Sequence, residues 1–221
     1  MAGRAPDDRP AVARLSGDVL VTGFEPFGGA ASNPSGDVAL RLDGESLAGG
    51  RRVRGLVLPC VFGAARQALV AALRAHHYAV VLGLGLAASR RELSVERVAI
   101  NLDDARIPDN AGAQPIDVPI VPGAPTAYFA TLPVKAIAAA LHASGLPGIV
   151  SQTAGTFVCN HVFYALMHHA ATEAPSLRGG FLHLPPTEVL PLDRQVEAVR
   201  IALATTLATA TDVRAVGGAV D

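Results

Sequence analysis

Short apolar runs that alternate with segments of helical spacing restrict the possible folds of this chain more than any other feature. The runs Asp18–Phe24, Ala79–Leu84 and Gly180–Leu184 are rich in apolar residues, as are strands buried on both faces of a parallel sheet. Between them, Gly63–His76 and Pro133–Ser144 repeat apolar residues with the spacing of one helix face. The alternation predicts an α/β fold, a single-domain three-layer α/β/α sandwich with a mainly parallel twisted sheet.

Other segments complete this pattern. Asn33 and Pro34 form an N-cap followed by a proline at the first helical position, which predicts a helix from Pro34 to about Leu42. Further strands are predicted at 51–59, 93–101 and 148–151, and further helices at 156–171 and 193–210. The long segment Asp103–Tyr128 holds several prolines and glycines and is predicted to be irregular, and loops of this length are usually functional.

Composition limits the class of protein. Of the 221 residues, 50% are apolar and 17% are charged, which is typical of a compact globular protein. We expect one domain over residues 16–214, a flexible amino-terminal extension over 1–15 and a carboxy-terminal tail over 215–221. The net charge is -1 without a run of Lys or Arg, which argues against nucleic acid or an anionic membrane as the partner.

The same inspection gives expectations for location and for bound metals. The longest apolar run, Tyr78–Ala88, is shorter than the ~18 residues that a membrane span needs. The amino terminus lacks the apolar core of a signal peptide, so a cytoplasmic protein is expected, with its 2 cysteines as free thiols. The pairs His76-His77 and His168-His169 lie on predicted helices without a convergent acidic or Cys ligand, so we expect neither a metal nor another cofactor.

Cys159 is the strongest candidate for chemistry. It follows a Gly/Thr turn at the point where an apolar helical pattern begins, and a helix start lowers the pKa of a thiol and makes it a nucleophile. A nucleophilic cysteine needs a base, and the base needs an acceptor that fixes its tautomer. Near other strand ends, His183 and Glu96 have the residue types that these two roles require.

Simpler interpretations of these residues stay open at this point. Cys159 could be a small buried apolar residue. His183 stands between two leucines and could be a core histidine, while Glu96 and Arg97 could form an exposed charge pair. Because Glu96 would share a strand face with apolar residues, however, a buried carboxylate that needs a partner is also indicated.

A nucleotide site is a separate alternative. Gly83-Leu-Gly-Leu-Ala-Ala88 follows a predicted buried strand and matches the G-x-G-x-x-A dinucleotide fingerprint. The residues after it return to a strand pattern and open no long helix, so a pyrophosphate would find no helix N-terminus. The match is therefore weak.

Several motifs together are more specific. They are Val19-Leu-Val-Thr-Gly-Phe-Glu-Pro-Phe-Gly-Gly29, Leu93-Ser-Val-Glu-Arg-Val-Ala-Ile-Asn101 with Ala105-Arg-Ile-Pro-Asp-Asn110, Val121-Pro-Gly-Ala-Pro-Thr-Ala-Tyr-Phe129, Thr153-Ala-Gly-Thr-Phe-Val-Cys-Asn-His161 and Gly179-Gly-Phe-Leu-His183. In order and approximate spacing this set resembles the pyroglutamyl peptidase I family of cysteine peptidases, from about Val19 to Leu184. The resemblance implies an exopeptidase that releases N-terminal pyroglutamate through a thioester.

The resemblance also implies site residues. It makes Glu96, Cys159 and His183 the catalytic triad and places Arg106 beside the nucleophile, in support of the oxyanion. The implied substrate pocket comprises the aromatic residues Phe24, Phe27 and Phe157 and the apolar residues Leu86, Ile107 and Val158. The implied partners are peptides with an N-terminal pyroglutamate, and the implied assembly is a homo-oligomer, a tetramer or a dimer.

The chain departs from the family pattern at Leu86, where some members have Gln, and in two other places. Ser89 stands where the family often has glycine, which leaves the geometry of that loop open. After His183 the segment Leu184-Pro-Pro-Thr187 leads into a shortened connection before the last helix. The shorter rim keeps a catalytically silent homologue, which would bind pyroglutamyl-type termini without cleaving them, as an alternative.

Overall fold

The computed structural model describes residues 16–218, so the predicted extension 1–15 and the last part of the predicted tail lie outside the described residues. The strands are β1 (Asp18–Phe24), β2 (Val53–Leu58), β3 (Tyr78–Leu86), β4 (Leu93–Glu96), β5 (Val98–Ile100), β6 (Ala127–Phe129), β7 (Gly148–Ser151) and β8 (Arg178–Leu184). The helices are α1 (Pro34–Leu42), α2 (Ala64–Ala75), α3 (Val134–Ala143), α4 (Val158–Thr172) and α5 (Leu192–Ala208).

Six of the strands form one sheet in the order β2-β1-β3-β8-β4-β7. The first four of these strands are mutually parallel, whereas β4 runs antiparallel to β8 and parallel to β7. The predicted mainly parallel α/β architecture is confirmed.

Two apolar clusters lie on opposite faces of this sheet. Val19 and Val21 of β1 point into a cluster with residues of α1, α3 and α5, while Leu20 points into a second cluster with residues of α2 and α4. Because side chains alternate along a strand, β1, β2, β3 and β8 each contribute to both clusters, which explains the near-continuous apolar sequences of β1 and β3. The result is the predicted three-layer sandwich.

The predicted strand over residues 93–101 is two strands. β4 ends at Glu96 inside the main sheet, and β5 pairs with β6 in a separate two-stranded antiparallel sheet. The Asn160 side chain of α4 holds β5, since its Oδ1 accepts from the Ile100 N–H and its Nδ2 donates to the Ile100 carbonyl. The break places Glu96 at the end of β4, an interior strand of the main sheet. The face of the sheet on which Glu96 lies is therefore determined by β4 and not by β5.

Helix starts were predicted with differing accuracy. α1 begins at Pro34, and Asn33 Oδ1 accepts from the Ser35 N–H at 3.1 Å, which confirms the cap. α4 begins at Val158, and its N-cap Phe157 makes no side-chain capping bond. Within residues 16–218, none of the helices is both long and apolar enough to cross a membrane.

Candidate active site

A cavity of about 350 Å³ opens beside the start of α4. Seven of the residues singled out from the sequence line it: Phe24, Phe27, Leu86, Arg106, Phe157, Cys159 and His183. Parallel strands β1 and β3 end here, as expected for a ligand site of an α/β sheet.

Glu96 and His183 form a buried pair behind this cavity. β4 and β8 are paired so that Ser94 faces His183, which places Glu96 diagonally across from the imidazole on the same face of the sheet. His183 Nδ1 lies 2.7 Å from Glu96 Oε1. Because an ionised carboxylate only accepts, Nδ1 carries the proton, and in a neutral ring Nε2 is left free to take one.

Cys159 is the second residue of α4, and its sulfur lies against β3. A Cβ built on Gly85 would be 2.7 Å from the Cys159 sulfur, so only a glycine leaves room there. The strand register pairs Gly85 directly with His183. Within the described part of the chain no hydrogen bond joins the sulfur to the imidazole, but both side chains line the same cavity.

The protonation state of Cys159 differs from the sequence-based expectation. Burial raises the pKa of this thiol well above its ordinary value, and the neighbouring Cys60 and Glu96 raise it further. Arg90 and the residue's own backbone N–H act in the opposite direction without offsetting the burial. The pKa of this thiol is therefore raised, opposite to the lowered pKa predicted from the helix start.

Aromatic rings form one wall of the cavity. The Phe27 and Phe157 rings lie 6.1 Å apart, and Phe62 meets Phe157 edge-on at 5.4 Å. Phe24 is only 2% exposed and belongs largely to the second apolar cluster. Phe62 lies outside the cavity lining and packs against Phe157, whereas Cys60 and Arg90 line the cavity and were not predicted as site residues.

Two of the implied pocket residues do not line the cavity. Val158 is 0% exposed and packs in the second apolar cluster, because the first residue of α4 faces inward. Ile107 is half-buried and also lies outside the lining. The structure thus brings Phe24, Phe27, Leu86 and Phe157 together but not these two.

Arg106 is placed by the long irregular segment that was predicted to be functional. The Asp104 N–H donates to the Thr156 carbonyl at 3.0 Å, and Thr156 Oγ1 donates to the Asp104 carbonyl at 2.7 Å. A buried pair anchors the same segment, since His161 Nδ1 lies 2.8 Å from Asp103 Oδ2. The Arg106 segment is therefore tied to the turn that precedes Cys159.

The G-x-G motif in β3 has a packing explanation. A Cβ on Gly83 would lie 2.5 Å from a ring carbon of Phe181, just as one on Gly85 would collide with the Cys159 sulfur. The glycines make room for α4 and its neighbours on the sheet. Nothing in their contacts requires a nucleotide.

In residues 16–218, no group of three or more His, Cys, Asp or Glu side chains is arranged to hold a metal ion. The polar side chains that line the cavity are two thiols, an imidazole, two guanidinium groups, an amide and a hydroxyl, those of Cys60, Cys159, His183, Arg90, Arg106, Asn33 and Ser89.

The fold and the site define a class, an α/β protein with a cysteine at a helix start beside a His–Glu pair, as a cysteine-dependent hydrolase requires. The family model described as pyroglutamyl peptidase matches residues 17–215. This chain belongs to the pyroglutamyl peptidase family.

Individual relatives agree with this assignment. The pyrrolidone-carboxylate peptidase of Cupriavidus pinatubonensis is 54% identical over 211 residues, which are 90% of this chain and 97% of the relative. The one from Streptomyces coelicolor is 58% identical over 167 residues, 76% of this chain and 77% of the relative.

Solved structures are similar as well. The crystal structure of Bacillus amyloliquefaciens pyroglutamyl peptidase I matches with a TM-score of 0.85 and 40% identity, covering 90% of this chain and 100% of that one. A mutant pyrrolidone carboxyl peptidase from the hyperthermophile Pyrococcus furiosus matches with a TM-score of 0.84 and 42% identity, covering 86% and 98%.

Proposed function

We infer that this protein is a cysteine exopeptidase that releases pyroglutamate from the amino terminus of peptides. One observation carries the assignment to this site: the aromatic cavity of a pyroglutamyl peptidase family chain opens onto Cys159, next to the His183–Glu96 pair. The substrate is a peptide with an N-terminal pyroglutamyl residue, and no cofactor is needed for the chemistry described below.

The chemistry of the substrate suits the cavity. A pyroglutamyl group is a flat, neutral five-membered lactam without a free α-amine, so a site that recognises an ammonium group would not hold it. The rings of Phe27 and Phe157 supply apolar faces of matching shape. We expect backbone groups at the rim to bind the lactam N–H and C=O.

The first half of the proposed reaction forms a thioester. The Cys159 thiol gives its proton to His183 Nε2 as the sulfur attacks the pyroglutamyl carbonyl carbon. The backbone N–H of Cys159 and the Arg106 guanidinium stabilise the resulting oxyanion. His183 then returns the proton to the leaving amine, the C–N bond breaks, and Glu96 stabilises the imidazolium in between.

The second half releases the product. Water gives a proton to His183 and attacks the thioester, the C–S bond breaks, and the thiolate recovers the proton. Burial raises the pKa of the Cys159 thiol, so its attack depends on transfer of its proton to His183, which later also accepts the proton of water. His183 therefore needs to be neutral when the substrate binds.

The substrate assignment predicts selective turnover. Purified protein should hydrolyse a pyroglutamyl chromogenic amide at least about 100-fold faster than the prolyl or glutamyl amide. Neither of these two amides has the neutral lactam, and a site that hydrogen-bonds a substrate group discriminates strongly against an analogue that lacks this group. Steady-state kinetics on the three amides measure this. Binding of pyroglutamyl peptides without turnover would instead identify a catalytically silent homologue.

The aromatic wall predicts a change in KM. Phe27→Ala and Phe157→Ala should each raise KM about tenfold or more with a smaller change in kcat, because each removes about 1.5–3 kcal/mol of apolar contact. Both side chains are half-buried, so their loss disturbs the core less than that of Phe24. Leu40→Ala, an exposed truncation on the opposite layer, is the control. Unchanged KM in both Phe variants would place the pocket elsewhere.

Assembly and location follow from the resemblance and form part of the proposal. We propose a homo-oligomer, a tetramer or a dimer, in the cytoplasm. The exposed apolar side chains Ile116 and Phe129 provide surface for self-association. Light scattering on the purified protein measures the assembly, and a monomer at micromolar concentration would contradict it.

A further inference from the structure

Arg90 lies in the turn between β3 and β4 and has two polar contacts at the site. Its Nη1 donates to Glu96 Oε1 at 2.5 Å, and its Nη2 donates to the Thr153 carbonyl at 2.8 Å. The side chain is 26% exposed and lines the cavity. Arg90 belongs neither to the Glu96–Cys159–His183 triad nor to the aromatic wall of the cavity.

The Glu96 carboxylate needs a permanent cation. It is 0% exposed, and a buried charge is costly without a partner. Oε1 accepts both from His183 Nδ1 and from Arg90, whereas Oε2 has no hydrogen-bond partner among the described residues. Because a guanidinium is charged at any working pH and an imidazole is not, Arg90 is the bonded group that always balances the carboxylate.

The second contact of Arg90 reaches the nucleophile side of the site. The Thr153 carbonyl also accepts from Ser151 Oγ at 3.1 Å, and Thr153 Oγ1 accepts from the Gly155 N–H at 3.0 Å. These bonds shape the turn that leads into α4 and Cys159. One guanidinium therefore spans the carboxylate and the turn before the thiol.

We propose that Arg90 is a positioning residue of this reaction, which holds Glu96 ionised and fixes the His183–Glu96 pair relative to the turn that carries Cys159. The proposal rests on the function inferred above. Arg90 acts through Glu96 and Thr153, and no contact with the substrate is part of its role.

Because Arg90 and His183 both donate to Glu96 Oε1, Arg90 also affects the proton transfers of His183. A cation beside Oε1 reduces the stabilisation that Glu96 can give to an imidazolium, so His183 can both take the thiol proton and return it to the amine. The groups that face Glu96 are His183 from β8, Arg90 from the turn and Cys159 from α4. The positive charge of Arg90 favours the less protonated forms of Glu96, His183 and Cys159.

Removal of the Arg90 charge should change the pH dependence of the activity. Loss of the Arg90 charge favours the protonated forms of Glu96, His183 and Cys159 alike, and each change moves in the same direction. Activity needs an ionised Glu96 and a neutral His183. The acid limb of the kcat/KM profile should therefore move to higher pH when the charge is removed.

The test compares Arg90→Gln, Arg90→Lys and the control Arg91→Gln in the purified full-length protein. Arg91 is an exposed neighbour of the same type, so its loss changes the net charge without touching Glu96. Arg90→Gln should lower kcat about tenfold, well below the 10⁴-fold that loss of an orienting carboxylate can cost. The acid limb of its kcat/KM profile should move to higher pH by about 1 unit, because an adjacent opposite charge changes the pKa of a carboxyl group by about 1–3 units.

The conservative variant separates charge from geometry. Arg90→Lys should restore the position of the acid limb but not the full kcat, since one ammonium group cannot reproduce the planar two-armed contact. Arg91→Gln should match the wild type in both. Thermal unfolding of each variant shows that the folded protein is being measured.

An activity-independent readout separates this proposal from the function itself. The pH dependence of Cys159 alkylation by iodoacetamide, located by peptide mapping, should shift to higher pH in Arg90→Gln alone. If the wild type fails to cleave pyroglutamyl amides but the alkylation shift is seen, the proposed function is wrong and the Arg90 contact is supported. A folded Arg90→Gln with unchanged profiles in both assays would overturn the role of Arg90.

Discussion

Cys159→Ala is expected to lower kcat/KM for a pyroglutamyl amide by about 10⁴-fold or more, the scale seen when the nucleophile of a triad is removed. Without the sulfur no thioester forms, and the His183–Glu96 pair has no proton donor to act on. The measurement is steady-state hydrolysis of the chromogenic amide, with the residual rate corrected for contaminating peptidase by a mock purification.

The second cysteine is a matched control for this variant. Cys60 also lines the cavity but is buried in the second apolar cluster, and burial raises the pKa of its thiol to about 12. Cys60→Ala should keep kcat within about tenfold of the wild type, because a buried inert thiol behaves as a small apolar group. If activity survived in Cys159→Ala but not in Cys60→Ala, Cys60 would be the nucleophile and the assignment to Cys159 would be wrong.

Part of the site could be predicted because it depends on strand periodicity and strand ends. His183 stands between Leu182 and Leu184, which point into the first apolar cluster, so it must point to the opposite face of the sheet. Glu96 ends β4 on that same face and pairs with it. These relations follow from the sequence pattern once the sheet is assumed.

Other features depend on contacts between distant segments. The raised pKa of Cys159 arises from burial against β3, which no local pattern around residue 159 contains. The double contact of Arg90 depends on how a short turn folds back over Thr153. The exclusion of Val158 from the cavity depends on α4 beginning at that residue, a boundary that sequence patterns place only approximately.

The two glycines of β3 show how one motif can point to two different sites. A G-x-G after a buried strand is also the start of a dinucleotide fingerprint. Here the same pair meets Phe181 and the Cys159 sulfur, with Gly85 paired to His183 in the adjacent strand. The two glycines are two residues apart because both lie on the face of β3 that packs against Phe181 and Cys159. They do not form a turn around a phosphate.

Gly85→Ala tests this interpretation. Its Cβ would lie 2.7 Å from the Cys159 sulfur and 3.0 Å from two Phe181 ring atoms, so the sulfur has to move. A displacement of about 1 Å at a reacting atom can cost 10²-fold, and we expect a loss of about 100-fold in kcat. Kinetics should be normalised to the folded fraction, measured by thermal unfolding in the same preparation.

Gly83→Ala is the matched control two residues earlier on the same face. Its Cβ would meet Phe181 at 2.5 Å but no atom of Cys159, so it should destabilise the fold by about 1–3 kcal/mol through overpacking. Folded Gly83→Ala should retain kcat within about tenfold of the wild type. Equal losses of kcat in the two variants would attribute the effect to displacement of Phe181. A loss confined to Gly85→Ala would show that the absence of a side chain at position 85 is needed to position the Cys159 sulfur for attack.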